Sequence, residues 1–101
     1  MLTSKQRAQL RGLAATEDTI VHIGKGGITD NIITQMSDAL KARELVKGRV
    51  LENSLLTARE ACDALAETCR DEPVQVIGSK FVLYKRNEQK PKIELVKKAR
   101  K

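Results

Sequence analysis

Between Val21 and Thr29 the chain reads Val-His-Ile-Gly-Lys-Gly-Gly-Ile-Thr, and these residue types could grip an anion. A β-branched run (Thr19, Ile20, Val21, Ile23) stops at three glycines and a lysine, and a helix-like pattern opens after Thr29. Glycines admit positive φ and let another backbone come close. A helix starting just beyond leaves free N–H groups and a partial positive charge facing whatever docks there. That suits a phosphate, to which Lys25 adds a mobile ammonium. Gly24-Lys25-Gly26-Gly27 is therefore a G-x-x-G loop between a strand and a helix capped by Thr29, and in a basic chain it points to RNA.

The phosphate loops of enzymes fit poorly. A nucleotide P-loop needs G-x-x-x-x-G-K-[ST] and a dinucleotide site G-x-G-x-x-G; neither occurs here. The G-x-x-G of a KH module clamps nucleotides, but it joins two helices and is followed three positions on by an apolar residue. Here a strand precedes the loop and position 30 is Asp. His22 has no carboxylate or thiol partner at a useful spacing, and Ser54 and Thr57 lie near no nucleophile pattern, so no catalytic constellation emerges and no enzyme activity is expected. Cys62 and Cys69 stand about 10 Å apart along one expected helix, too far for a disulfide. With a single histidine they complete no zinc site. Neither cofactor nor metal is expected, and both thiols should be inert in a reducing cytosol.

The elements that must position the loop follow from hydrophobic period. Thr3 or Ser4 caps a first helix to about Ala15, with Ala8, Leu10, Leu13 and Ala14 on its apolar side and Lys5, Arg7 and Arg11 in water. Strand one covers about Thr19 to Ile23. Helix two runs from about Asp30 to Ala42, with Ile32, Ile33, Met36, Ala39 and Leu40 on one stripe. Strand two spans about Glu44 to Leu51, with Val46, Gly48 and Val50 on one face and Lys47 and Arg49 together on the other. Thr57-x-x-Glu60 is a capping box for helix three, which continues to about Arg70. Val74–Ile77 and Phe81–Lys85 form a hairpin around Gly78-Ser79-Lys80.

The order α-β-α-β-α-β-β predicts an α/β domain with a four-stranded mixed sheet packed by helices. Helices two and three fall on one side if both crossovers move the same way across the sheet. Strand order stays open. Residues 1–86 form the domain; 87–101 read as a basic, mobile tail with a short apolar patch at Ile93, Leu95 and Val96.

Among 101 residues only Phe81 and Tyr84 are aromatic, which disfavours base stacking on aromatic platforms. Net charge is +6, of which the tail holds +4 and residues 1–86 only +2. Such a balance favours a polyanionic partner gripped by its backbone. No apolar run approaches a membrane span and residues 1–15 lack a signal-peptide core, so a soluble cytoplasmic protein, not a membrane-bound one, is expected.

Four pieces in order and spacing carry a family resemblance over Leu2 to Arg86. They are Ser4-Lys5-Gln6-Arg7 with Leu10-Arg11-Gly12-Leu13-Ala14; Gly24-Lys25-Gly26-Gly27-Ile28-Thr29; Glu44-Leu45-Val46-Lys47; and Val74-Gln75-Val76-Ile77-Gly78 with Leu83-Tyr84. The chain resembles the CRM domain (chloroplast RNA splicing and ribosome maturation), in particular the single-domain bacterial YhbY-like proteins. The resemblance implies a fold similar to the C-terminal domain of translation initiation factor three. It also implies RNA binding through the loop and nearby basic residues, and a role in assembling the large ribosomal subunit. On this chain the implied RNA-binding residues are Gly24, Lys25, Gly26, Gly27 and Thr29, with Lys5, Arg7 and Arg11 on the first helix and Lys47 on the second strand; Arg49 joins them from the strand pattern. The implied partner is 23S-type ribosomal RNA in precursor large subunits, bound by a monomer. The competing expectation is a protein-interaction or regulatory module whose basic tail docks on an acidic partner.

Overall fold

Each of the three helices starts at a threonine. The computed structural model describes residues 2–87, 89, 93 and 95, arranged as α1 (Ser4–Ala14), β1 (Thr19–Ile23), α2 (Asp30–Arg43), β2 (Leu45–Val50), α3 (Ala58–Cys69), β3 (Glu72–Ile77) and β4 (Lys80–Tyr84). The Thr3 hydroxyl accepts from the Gln6 N–H (3.1 Å) while the Gln6 side chain accepts from the Thr3 N–H (3.0 Å). Thr57 and Glu60 repeat that reciprocal pair at 3.1 and 2.9 Å, and Thr29 accepts from the Ile32 N–H at 3.2 Å. Caps of this kind hold a helix start by about 1 kcal/mol each.

The sheet order is β1-β2-β4-β3, with β1 and β2 parallel and the other neighbours antiparallel. The crossover through α2 moves one place across the sheet; the one through α3 moves on in the same direction and leaves a place that β4 fills. Both helices accordingly share one face, where Met36, Leu40, Ala61, Cys62 and Leu65 pack against Val21, Ile23, Val46 and Phe81. On the other face α1 covers only part of the sheet, setting Leu10 and Ala14 against Leu45, Val74, Val82 and Tyr84. The buried stripe of α1 is Gln6, Leu10 and Ala14, not the expected apolar set: Ala8 is exposed and Leu13 is 41% exposed. Gln6 is buried while its amide completes the Thr3 cap.

Strand bounds shift slightly from expectation. β3 begins at Glu72 and runs through Pro73, an edge position where no donor is missed. Its register slips between Pro73 and Gln75, which turns Val74 toward α1 and Val76 toward α3 and α2. At the sheet centre Gly48 stands opposite Phe81. A Cβ on Gly48 would lie 2.5 Å from the ring Cζ, so the ring occupies the space a side chain would need.

Glu44 is fully buried, ends α2 at φ 65°, and is more than a connector. Its carboxylate accepts the Asn87 N–H (2.6 Å) and the Ile93 N–H (2.7 Å), and its carbonyl accepts the Lys85 N–H (2.9 Å). Ile93 and Leu95 pack beside the α1 core. The rest of the expected mobile tail lies outside the described residues. Cys62 and Cys69 are both free and buried, and burial with the nearby Asp63 and Asp71 charges pushes the Cys62 thiol up to about 11.

Asp71 is buried, with no hydrogen-bond donor to either carboxylate oxygen among the described residues. Burial pushes its carboxyl up to about 7 even though the Lys85 ammonium pulls the other way. The unfolded chain deprotonates this group near 4, so stability is full below that pH, falls as pH rises toward 7, and levels off above. Asp71→Asn should therefore gain about 1–3 kcal/mol over the wild type at pH 8 and lose that advantage toward pH 4, read by urea unfolding at both pH values. Gly48→Ala should lower stability by about 1–3 kcal/mol at any pH, through overpacking against Phe81.

Candidate nucleic-acid interface

β1 and β2 run parallel, so their C-terminal ends open toward the same end of the sheet, and β4 starts there too. The Leu51 N–H donates to the Ile23 carbonyl (2.8 Å) and the Val50 N–H to the Ser79 carbonyl (2.7 Å). These bonds tie the root of the glycine loop to the end of β2 and to the hairpin. The loop itself closes as a four-residue turn, the Gly27 N–H donating to the Gly24 carbonyl at 3.1 Å. Thr29 then donates its N–H to the Gly27 carbonyl at 3.2 Å and caps α2 with its side chain.

Lys25 and Gly26 form the exposed tip of this turn, and their peptide N–H groups make no hydrogen bond among the described residues. Two backbone donors and an ammonium therefore face solvent together. Asp30 stands in the first turn of α2 and already complements the positive end of that helix. The turn tip, more than the helix behind it, is therefore where an anion would meet uncompensated donors. Gly27 holds the turn at φ 72°, where an L side chain is strained.

The neighbouring β2–α3 loop forms the wall of this turn. A Cβ on Gly24 would lie 3.5 Å from the Asn53 side-chain oxygen, and one on Gly27 would lie 3.8 Å from Leu56. Leu56 is tucked against the core, whereas Leu55 beside it is 95% exposed.

The basic residues singled out in the sequence do not all gather here. Arg49 does: it pairs with His22 on β1, two residues before Gly24, and it is exposed. Lys47 shares Arg49's face, but its ammonium donates to the Ala14 carbonyl at the end of α1 (3.2 Å), which gives it a structural task as well. Arg11 lies with Lys47 along a groove on that face. Arg7 belongs to a shallow groove with Arg59, Pro73 and Gln75 at the β3 edge, the margin of the sheet opposite β1. Lys5 is exposed near the start of α1. Sequence reasoning missed Lys80, which pairs with Arg49 and is exposed; only the strand order β2-β4 puts it there. No three His, Cys, Asp or Glu residues among those described come together to hold a metal, and no described helix is long and apolar enough to cross a membrane.

Three helices on a four-stranded mixed sheet, with an exposed G-x-x-G turn at the end of the first strand, define an α/β domain. The match to the CRS1/YhbY (CRM) domain over residues 2–85 makes it a member of that family. The chain is 43% identical over 95 residues to the probable RNA-binding protein YqeI of Bacillus subtilis, covering 94% of this chain and 99% of that one. It is 32% identical over 97 residues to an RNA-binding protein of Haemophilus influenzae, covering 96% and 97% of the two. The solution structure of the hypothetical protein SAV1595 from Staphylococcus aureus superposes with a TM-score of 0.71 at 46% identity, over 95% of this chain and all of that one.

The turn geometry separates its last two glycines. Gly27→Ala should cost about 1–2 kcal/mol, because it forces a side chain into the left-handed region. Gly26→Ala, at ordinary φ with its nearest neighbour Thr29 at 3.4 Å, should stay within about 0.5 kcal/mol of the wild type. Thermal unfolding of both variants checks the difference.

Proposed function

We propose that this chain is a non-catalytic RNA-binding protein that associates with precursor large ribosomal subunits and assists their assembly. The observation that carries the reading is the exposed tip of the glycine turn, where the N–H groups of Lys25 and Gly26 and the Lys25 ammonium have no partners among the described residues. A phosphate fits that set of donors. Arg49 and Lys80 extend the positive field across the adjacent strands. The naming of two relatives as RNA-binding proteins supports the choice of polyanion.

The mechanism is a grip on the backbone of ribosomal RNA. Phosphate contacts orient the protein and carry little sequence information, so the choice of site falls to folded RNA shape and 2′-hydroxyls. The protein acts as a monomer in the cytoplasm and transfers no group.

Sedimentation of tagged protein from cell lysate tests this, with the wild type beside a Lys25→Glu/Gly27→Asp double variant. The wild type should travel with large-subunit precursors and the variant should stay at the top of the gradient. A wild type that stays at the top overturns the ribosomal reading, and a variant that still travels with the particles overturns the loop as the grip. With purified RNA, affinity should fall as salt rises, and Lys25→Glu alone should make that slope shallower by about 1.

A further inference from the structure

On the sheet face that α1 only partly covers, one transverse row crosses all four strands. His22 pairs with Arg49, Arg49 with Lys80, and Lys80 with Ile77. Like charges directly opposite each other on neighbouring strands are destabilising. Arg49 and Lys80 sit that way, both exposed, and the ion pair found among the described residues, Arg43 with Glu17, lies elsewhere. A polyanion across the row would relieve the repulsion.

Directly beneath the row is a groove of about 350 Å³ between the last turn of α1 and the sheet. Its floor is apolar, made by Ala14, Ala15 and Val82, with Ile77, 63% exposed, at the open side. Arg11, Lys47 and Lys80 line it as cations, and no acidic side chain among the described residues does. Gln75 pairs with Val82 and brings an amide, two donors and an acceptor, to the same surface. Phosphate alone has no use for an apolar floor, and a fully paired RNA helix offers phosphates and a shallow groove but no base face. A nucleotide whose base is out of the helix has both chemistries.

We propose that this groove takes one unpaired nucleotide of the bound RNA, its base against Val82, Ile77 and the end of α1, its edge read by Gln75, and its flanking phosphates held by Arg11 and Lys80. The proposal rests on the RNA-binding function above and sharpens it: the preferred target is a helix with an unpaired base beside it, the paired part gripped at Lys25 and the loose base carried across the Arg49–Lys80 row into the groove.

The test is amide NMR of the full chain titrated separately with a mixed-sequence single-stranded RNA hexamer and with a blunt RNA duplex. The hexamer should shift the Gln75 side-chain amide and the Ala15 and Ile77 N–H signals together with those of Lys25 and Gly26; the duplex should move the loop signals alone. Ile77→Glu places a negative charge at an already exposed position. It should abolish the groove shifts and weaken the hexamer about tenfold, the size of one lost base contact, while duplex affinity stays within about twofold. Hexamer shifts confined to the loop, equal groove shifts from both RNAs, or an Ile77→Glu variant that binds the hexamer like the wild type would overturn the groove and leave RNA binding standing. No shift anywhere with either RNA overturns both.

Discussion

The ring of Phe81 lies over the bare α-carbon of Gly48, and that contact pins the middle of the sheet. It fixes the β2–β4 register at a point where a side chain on Gly48 would collide with the ring. From that register follow the neighbours of every residue on both faces: Val46 faces Leu83's strand position, Lys47 faces Val82, and Arg49 faces Lys80. The same ring belongs to the core under α2 and α3. A slip by one residue would send the core side chains to the α1 face and the cations inward, an arrangement no burial of apolar surface could offset. The fit between a missing side chain and a large one thus sets the core and the charged face together.

The faces then divide the work. Helices α2 and α3 cover theirs fully, while α1 leaves an end of its own face open, and the chemistry-bearing groups collect where cover is missing. The glycine turn hangs from the end of β1, its root held by the Ile23–Leu51 bond and its outlet by the Thr29 cap. These anchors on both sides leave the tip of the turn exposed.

Much of this was legible in the sequence because local rules carry it. Thr29 and Thr57 cap where capping patterns place them, the stripe Ile32, Met36, Leu40 is buried or half-buried at its helical period, and the element order is the one expected. The glycine turn, too, is a short-range feature. What escaped depends mostly on distant partners, the local Thr3–Gln6 capping box apart. Gln6 reads as a surface polar residue until its amide is seen to complete a cap, and the alternation in β3 breaks at Val74 because a bulge has no composition of its own. Lys80 is only a hairpin residue until β4 is inserted between β2 and β3. Lys47 reads as a free cation, yet it reaches the end of α1, thirty-three positions away. The acidic Glu44 gives no hint that it is fully buried, since its partners lie beyond β4.

The position of β1 at the sheet margin has a bearing on how the molecule assembles. β3 and β4 join through a two-residue turn from Ile77 to Lys80, a closure with little chain to immobilise. β1 meets β2 only after the entire α2 crossover has been gathered in, from Thr19 to Lys47. Loop-closure entropy makes the second event the more demanding one. The strand that carries the glycine turn thus docks at a larger closure cost than the terminal hairpin. An incompletely folded chain has the same charge and the same glycines, but without β1 in place the turn has no root, so the exposed loop is a property of the finished fold and not of the basic polypeptide.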